Sequence, residues 1–336
     1  MVSMKDISLK CNVSIATVSK ALNDHSDISE QTKEYIRETA RNMGYFPNAS
    51  AKQLKTHRSH NLGILFIDEA GSGLTHDFYA NILDSFKVTA ENAGYDLTFI
   101  NCNRASLNMS FLEHSRYRGV DGVVIACVKF DEPEVYELAQ SDIPVVTIDH
   151  VFDQKTAVIS DNIQGMKDLV TYIHKECHHE RIAFIHGADS AVTRNRLTSF
   201  YRTMENLGLT VPDEYILEAD YRDTDGAYSQ TLALLDLPKP PTCILYPDDF
   251  SSIGGINAIK SRGFSIPDDI SIAGYDGINL AKVLEPKLTT IEQDTKEIGR
   301  KAALQLIDLI EKPKTTLIER IIVSGRLLRG DSVKVL

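Results

Sequence analysis

Acidic side chains repeatedly follow short apolar runs in the long C-terminal part of the sequence. These acids are Asp68, Asp149, Asp161, Asp248, Asp249 and Asp276. Apolar runs between amphipathic segments predict buried strands of a parallel sheet, and ligands bind beyond the carboxyl ends of such strands. Carboxylates accept paired hydrogen bonds from adjacent hydroxyls, whereas a single Asp after a strand often only caps a helix. Several acids at successive strand ends therefore favour a cleft for a polar ligand.

Aromatic side chains add stacking surface to the same predicted cleft. His76, Phe78 and Tyr79 open the helix that is predicted after the first strand of this part of the chain. Aromatic faces cover the apolar side of a sugar ring, while the acids bind its hydroxyls. A sugar is therefore the preferred ligand class, although a nucleobase would also fit a cleft of acids and aromatics.

No recognised catalytic or nucleotide-binding signature is present. The patterns G-x-S-x-G, H-E-x-x-H, Walker A and G-x-G-x-x-G are all absent from the sequence. His174 and His178 have the spacing of a metal-binding pair on a helix, but surface histidines near a helix C-terminus explain them better. Cys127 and Cys243 lie in apolar runs, which predicts core positions. We expect no catalytic residue, no metal and no cofactor; a sugar-processing enzyme with paired carboxylates is the weakest alternative.

The composition is typical of a globular protein without disulfides. Hydrophobic residues make up 43% of the 336 positions, which is enough for a sizeable core. No apolar stretch reaches the roughly 18 residues of a membrane span, and the first ten residues contain no signal region. Five scattered cysteines form no C-x-x-C pair: Cys11, Cys102, Cys127, Cys177 and Cys243. We expect a cytoplasmic protein that has no contact with a membrane.

The elements that position the acids alternate between strand and helix. Over residues 61–336, β-rich runs are separated by amphipathic segments, which predicts an α/β fold with doubly wound parallel sheets. The alternation occurs twice, so we predict two lobes with the cleft between them. Lobe 1 is predicted over about 61–160 and 292–322, and lobe 2 over about 161–291 and 323–336.

The charge of the chain is distributed unevenly. The net charge is −11, yet residues 1–58 contain nine Lys and Arg against six Asp and Glu, and the remainder contains 27 against 41. A basic head on an acidic body is typical of a small nucleic-acid-binding unit joined to a larger domain with another task.

The head contains three predicted helices within residues 1–46. Ser3 and Asp6 have the spacing of a capping box, Ser14 is a good N-cap for a second helix, and Ser29 caps a third helix that closes at Gly44. Two short helices around a three-residue turn, followed by a packing helix, predict a helix-turn-helix unit. The alternative is a generic three-helix bundle with a solvated polar face.

The second helix of the head has an outer face of small and hydrogen-bonding side chains. Val18 and Leu22 face inward, which leaves Ala16, Ser19 and Lys20 outside. Such a face can enter the major groove of double-stranded DNA. The predicted DNA contacts of the head are Lys5, Ser14, Ile15, Ala16, Thr17, Ser19, Lys20 and Asn23.

A hinge helix and linker are predicted over residues 47–60. Pro47 suits the first turn of a helix, but the helical stretch is too short to be stable alone. Leu54 lies among polar residues without an apolar stripe to join. Its side chain is either a scattered surface leucine or a wedge that enters a minor-groove base step. The predicted DNA contacts of the hinge are Asn48, Ala49, Lys52 and Leu54.

Seven stretches of the sequence, three within residues 1–58 and four within residues 61–336, together resemble the lactose/galactose-repressor (LacI/GalR) family of bacterial transcriptional regulators. They are residues 5–8 (KDIS), 13–23 (VSIATVSKALN), 44–49 (GYFPNA), 178–187 (HHERIAFIHG), 196–200 (RLTSF), 270–276 (ISIAGYD) and 288–294 (LTTIEQD). The resemblance implies that the second helix reads the major groove and that Leu54 is the hinge wedge. Asn12 replaces the glycine that is common in the family's turn.

The resemblance also implies a site for a small-molecule effector. It implies contacts at Phe78, Tyr79, Arg196, Tyr221, Asp276 and Gln293. This chain departs from the family at Asp248, where Asn-Asp is usual after the strand, and at His76, where Asn-Pro is common. The full set of predicted effector contacts is His76, Phe78, Tyr79, Asp149, Asp161, Arg196, Tyr221, Asp248, Asp276 and Gln293.

We therefore expect a repressor of carbohydrate-utilisation genes that a sugar controls. A single reading head recognises few bases, so we expect a homodimer on a palindromic operator, with residues 61–336 binding the effector and the second subunit. A solute-binding protein for sugar transport is the alternative, since the two-lobed body alone would serve that task.

Overall fold

The computed structural model describes residues 2–45, 58–68, 70–101 and 109–336. The predicted hinge contacts Asn48, Ala49, Lys52 and Leu54 lie outside these ranges and stay predictions. The chain divides into two compact units, Met1–Ser59 and His60–Leu336. We call the first unit the head and the second the body.

Helices of the head are α1 (Met4–Cys11), α2 (Ile15–Leu22) and α3 (Glu30–Asn42). Helix α1 begins with a reciprocal capping box between Ser3 and Asp6. Asn12 turns the chain into α2 with a φ of 53°, a left-handed conformation that Asn tolerates better than most residues. Apolar side chains of the three helices share one core: Ile7, Cys11, Val18, Ala21, Ile36 and Ala40.

The first sheet of the body contains β1 (Asn61–Phe66), β2 (Asp96–Ile100), β3 (Gly122–Ala126), β4 (Val145–Ile148), β5 (Thr156–Ser160) and β11 (Arg320–Val323). Its order is β11-β5-β4-β3-β1-β2, and all neighbours are parallel. The apolar runs of the central strands are buried on both faces, as parallel sheets require.

The second sheet contains β6 (Ile182–His186), β7 (Ile216–Glu218), β8 (Cys243–Leu245) and β9 (Ser271–Ala273). These strands are parallel in the order β7-β6-β8-β9. Next to them, β10 (Thr290–Glu292) pairs antiparallel with β12 (Arg326–Leu328).

Helices of the body are α4 (Asp77–Asn92), α5 (Phe111–Arg118), α6 (Pro133–Gln140), α7 (Asn162–Lys175), α8 (Ala191–Asn206), α9 (Thr224–Leu235), α10 (Ser252–Ser261), α11 (Asn279–Val283) and α12 (Thr295–Glu311). Apolar side chains of α4 and α12 share a core with one face of the first sheet, and those of α5 and α6 with the other face. In the second sheet, α7 and α8 cover one face and α9 and α10 the other. The doubly wound α/β fold that the alternation predicts is therefore confirmed.

The chain passes between the two sheets more than once. It leaves the first sheet after β5, builds the second sheet, and returns through α12 and β11. After β11 it runs back to the second sheet, where Val333 joins the core. We call the elements around the first sheet lobe 1 and those around the second sheet lobe 2. Among the described residues, no helix has the length and apolar character that crossing a bilayer requires.

Candidate functional site

A cavity of about 520 Å³ in the body is lined by residues that follow strands of both sheets. From lobe 1, Asp68 follows β1 and Asp149 follows β4; from lobe 2, Asp248 follows β8 and Asp276 follows β9. We call this cavity the cleft. Its position at the carboxyl ends of parallel strands is the usual ligand position of open α/β sheets.

Arg196 of α8 is fixed in the wall of the cleft and is only 3% exposed. Its Nε donates to Asn162 Oδ1 at 2.7 Å, and its Nη1 donates to the carbonyl oxygen of Pro247 at 2.7 Å. The guanidinium carbon lies 3.6 Å from the centre of the Tyr275 ring, and Nη2 lies 3.6 Å from Asp276 Oδ1. A planar donor group held in this way has little freedom left to lose when a ligand binds.

Asp276 lies beside this arginine in a strained backbone conformation, with a φ of 105°. Its Oδ1 accepts a hydrogen bond from Gln293 Nε2 at 2.7 Å. Burial raises the pKa of Asp276 to about 7, although nearby Arg196 acts in the opposite direction. Gln293 Oε1 is buried without a hydrogen-bond partner among the described residues. A donor group of a ligand would satisfy that oxygen.

Asp149 and Tyr221 are held by the strands and helices behind them. The backbone N–H of Ser160 donates to Asp149 Oδ1 at 2.7 Å, and burial raises the pKa of this carboxyl. The hydroxyl of Tyr221 lies 2.8 Å from Thr193 Oγ1. Gly187 gives room for the Tyr221 ring, since a Cβ at that position would lie 2.3 Å from a ring carbon.

The acidic pair after β8 is divided between the cleft and the core. Asp248 lines the cleft, and it accepts hydrogen bonds from the N–H and the hydroxyl of Ser251, both at 2.8 Å, and from the N–H of Arg222 at 2.9 Å. Asp249 is fully buried and accepts a hydrogen bond from Thr290 Oγ1 at 2.6 Å. Asp248 therefore stabilises its loop and still faces the cleft, whereas Asp249 serves the core.

The N-terminus of α4 forms an aromatic wall. His76 and Tyr79 are edge-to-face with ring centres 5.0 Å apart, and Phe78 and Tyr79 are 5.1 Å apart. All three side chains line the cleft, and Phe78 also belongs to the core of lobe 1. His76 is 9% exposed, and its Nδ1 is buried without a hydrogen-bond partner among the described residues.

Asp161 requires a correction. It is not among the residues that line the cleft, and its Oδ1 accepts a hydrogen bond from the N–H of Gln164 at 3.0 Å. Asp161 is therefore the N-cap of α7, which is the local role that any Asp after a strand can take. The structure therefore does not bring Asp161 together with the other predicted ligand contacts.

Cys127 also requires a correction, because it lines the cleft instead of joining the core. Strand β3 ends at Ala126, and Cys127 then takes a φ of 54°, which ends the alternation of the strand. Cys243, by contrast, is fully buried in the core of lobe 2 as the apolar run predicts.

Arg222 is a cleft residue that the sequence analysis missed. It belongs to lobe 2, yet its Nε donates to Ser72 Oγ of lobe 1 at 3.0 Å. Its guanidinium carbon lies 4.2 Å from the centre of the Phe250 ring. Its position next to Tyr221 was the only signal in the sequence. The sequence argument selected acidic residues that follow strands, and Arg222 is basic.

Phe130 and His150 form a second aromatic group at the cleft that was also missed. Their rings stack with centres 4.1 Å apart and planes inclined by 4°. These side chains could cover the apolar face of a ligand ring.

The predicted DNA contacts of the head lie on its surface and around α2. Lys5, Ser14, Ile15, Ala16, Lys20 and Asn23 are exposed, and Thr17 and Ser19 are half-buried. Ser14 Oγ caps α2 by accepting the N–H of Thr17 at 3.0 Å. Lys20 forms an ion pair with Asp27. Ile15 is 49% exposed, so an apolar side chain is available for a groove.

A helix-turn-helix head and a two-lobed body with a ligand cleft define the class of ligand-controlled transcriptional regulators. The family described as "Bacterial regulatory proteins, lacI family" matches residues 3–48, and "Periplasmic binding protein-like domain" matches residues 174–333. A probable HTH-type transcriptional repressor, ExuR of Bacillus subtilis (strain 168), is 30% identical over 99% of both chains. The chain therefore belongs to the lacI family, and the predicted resemblance is confirmed.

A further relative supports the same assignment, and two solved structures share the fold. The ribose operon repressor of Escherichia coli (strain K12) is 30% identical over 93% of this chain and 94% of its own. The structure of a Lac repressor dimer bound to operator and the anti-inducer ONPF is 22% identical, covers 99% of both chains and has a TM-score of 0.84. A ribose-bound LacI family regulator from Enterococcus faecium is 24% identical, covers 82% of this chain and 99% of its own, and has a TM-score of 0.68.

Proposed function

We propose that this protein is an operator-specific repressor whose affinity for DNA is controlled by a sugar in the cleft. The observation that carries the proposal is the buried pair of Arg196 and Asp276 in a cleft of about 520 Å³. A fixed donor group beside a fixed acceptor matches the adjacent hydroxyls of a sugar ring. Relatives that regulate a ribose operon or bind ribose support this ligand class.

In this proposal, the cleft side chains share three tasks toward the sugar. Arg196 donates to hydroxyl oxygens, and Asp276, Asp149 and Gln293 accept from hydroxyl groups. The aromatic wall supplies stacking surface. The proposed effector contacts are His76, Phe78, Tyr79, Asp149, Arg196, Tyr221, Asp248, Asp276 and Gln293.

The proposal assigns DNA recognition to the head and the hinge. Helix α2 would enter the major groove, and Leu54 of the hinge would enter the minor groove at the operator centre. We propose a homodimer on a palindromic operator, as in the structure of the Lac repressor dimer bound to operator. The protein would then act in the cytoplasm, where that DNA is, and it would have no enzymatic activity.

Control of DNA affinity would follow from movement of the two lobes. A sugar that contacts both lobes favours their closure, and closure shifts the chain ends that lead to the hinge. Such coupling between two binding sites typically changes affinity by about 5- to 150-fold.

A ligand screen followed by DNA binding tests this function. The full-length protein is heated with D-ribose, D-galactose, cellobiose or adenine, and its operator is selected from random DNA. We expect one sugar to raise the melting temperature and to change operator affinity by about 5- to 150-fold. Arg196→Gln should abolish both effects, because it removes the buried guanidinium and its positive charge.

The matched control is Arg262→Gln, since Arg262 is an exposed arginine of lobe 2 that pairs with Asp236 at 2.6 Å. This variant should keep the sugar response. A sugar that binds the wild-type protein but leaves its operator affinity unchanged would refute the proposed control.

A further inference from the structure

Asp68, His76 and Cys127 form a compact group in the lobe 1 wall of the cleft. One potential ligand atom of each residue lies within 4.8 Å of the other two, and the group is the only such set of three among the described residues. Asp68 follows β1 and Cys127 follows β3, which are neighbouring strands, and His76 precedes α4. The fold thus brings together three residues that are far apart in the sequence.

His76 is built into this group without a structural partner for its Nδ1. The residue is 9% exposed, and Nδ1 is buried with no hydrogen bond to the described residues. His76 stands at the N-cap position of α4, yet its side chain makes no capping hydrogen bond. A buried nitrogen without a hydrogen-bond partner is energetically unfavourable, so an additional ligand for this imidazole is the physical expectation.

The other two members are also oriented toward the cleft by their backbones. The carboxylate of Asp68 accepts hydrogen bonds from the N–H groups of Ala70 at 3.1 Å and Gly73 at 2.9 Å, which fixes its direction and leaves lone pairs for a cation. Cys127 takes a φ of 54°, which is uncommon for a residue with a side chain. The positive φ places this cysteine in the lining of the cleft.

A thiolate, an imidazole and a carboxylate are the ligand types that Zn²⁺ binds, whereas Mg²⁺ and Ca²⁺ prefer oxygen alone. Ligand atoms of a tetrahedral zinc site lie about 3.3–3.7 Å apart, as bond lengths of about 2.0–2.3 Å require. Ligand atoms that are up to 4.8 Å apart therefore need to approach by about 1.1–1.5 Å. Three protein ligands leave one coordination position, and that position would face the cleft.

We propose that Asp68, His76 and Cys127 bind a zinc ion whose open position faces the cleft and accepts an oxygen of the cleft ligand. The expectation of no metal rested on sequence spacing, which cannot detect ligands that come from separate strands. The ion-binding part of this inference is independent of the proposed repressor function.

Zinc binding to the full-length protein tests the inference directly. The reduced, metal-free protein competes with a chromophoric chelator for Zn²⁺, without DNA or sugar. We expect one ion per chain, and Cys127→Ser, His76→Gln and Asp68→Asn should each weaken binding by at least about tenfold. The matched control is His178→Gln, an exposed histidine outside the group, which should bind like the wild type.

Cobalt spectra separate ligation from loss of folding. Co²⁺ bound to the wild type should give a thiolate-to-metal charge-transfer band in the near ultraviolet, and Cys127→Ser should lose this band while keeping the metal-free melting temperature. A folded wild type that shows no such band, or that binds Zn²⁺ no more tightly than the three single variants, would overturn the proposal. Because neither reading uses DNA, failure here leaves the repressor function untouched, and the operator assay tests that function separately.

Discussion

Asp276 combines features that raise the free energy of the folded protein. Burial raises its pKa to about 7, and the acids Asp248 and Asp149 add to this effect. Its backbone is also in a conformation that favours glycine. Strained and desolvated groups of this kind are retained at binding sites because a ligand uses them. Asp276 is therefore expected to lower the stability of the folded protein and to raise its affinity for the ligand.

Asp276→Asn should change how stability depends on pH. The folded-state pKa of about 7 lies above the ordinary value of 3.8, so the folded protein holds a proton that the unfolded chain releases between these values. The free energy of unfolding of the wild type therefore falls as pH rises from about 4 to 7, by up to about 4 kcal/mol. Asn cannot titrate, so the free energy of unfolding of the variant should rise relative to that of the wild type between pH 5 and pH 8. Urea unfolding experiments measure this difference.

Contributions of titrating groups that do not interact with Asp276 cancel when the two proteins are compared at each pH. Arg196 attracts mainly the ionised carboxylate, and this attraction is already part of the folded-state pKa of about 7. The test uses only how the stability difference between the two proteins changes with pH. Parallel curves for wild type and variant would contradict the raised pKa.

A position directly after a strand was enough to place some acids in the cleft, but not all of them. Asp149, Asp248 and Asp276 follow strands and line the cleft, but Asp161 follows a strand in the same way and caps a helix. The two outcomes differ in the direction of one side chain, which spacing does not encode. Cys127 was missed for a related reason, since the end of its strand depends on one backbone angle.

At the scale of elements, α4 and α12 of lobe 1 pack with almost no space between them. A Cβ on Gly299 of α12 would lie 2.2 Å from the carbonyl oxygen of Ile82 and 2.9 Å from the N of Phe86, both in the backbone of α4. A glycine in a helix ordinarily costs about 1 kcal/mol relative to alanine, so the close approach of the two backbones explains why it is present.

Gly299→Ala should therefore destabilise the body. The alanine methyl group clashes with backbone atoms, which cannot rotate away, and overpacking of this kind costs about 1–3 kcal/mol. Because the shortest contact would be only 2.2 Å, to a backbone oxygen, we expect the upper part of this range, which exceeds the gain of about 1 kcal/mol in helix propensity. The free energy of unfolding from urea titrations at constant pH measures the net effect.

The control variant Lys296→Ala lies on the same helix at an exposed position and should stay within about 0.5 kcal/mol of the wild type. If Gly299→Ala is as stable as the wild type or more stable, the close packing of α4 and α12 is not a constraint.

Buried strands were easier to predict from the sequence than exposed strands. Strands β3 and β4 are fully buried and apolar except for Thr147 of β4, so their sequence carries the signal of a parallel sheet. Strands β7 and β12 have three residues each and are half-buried or exposed, so they lack that signal and form only because a neighbouring strand offers its edge.

At the scale of the whole body, the relative position of the two lobes decides whether the cleft is open or closed. Side chains near the cleft join the lobes directly: Arg222 of lobe 2 donates to Ser72 of lobe 1 at 3.0 Å and lies 3.5 Å from Asp77. The sequence predicts two lobes from a repeated pattern, but contacts between lobes depend on long-range packing and leave no pattern.

Arg222→Gln should shift the body toward an open arrangement of the lobes. The shorter neutral side chain loses the contacts with Ser72 and Asp77 as well as the stacking on Phe250. A hydrogen bond from a charged donor contributes about 1.5–3 kcal/mol, so the ratio of closed to open molecules should fall by about tenfold or more. Small-angle X-ray scattering of the sugar-free protein should then give a larger radius of gyration. A sugar that contacts both lobes should also bind more weakly, since its binding must restore closure.

The control Arg262→Gln removes an ion pair within lobe 2 and should scatter like the wild type. If both variants scatter identically to the wild type, Arg222 does not hold the lobes together, and closure depends on the ligand alone.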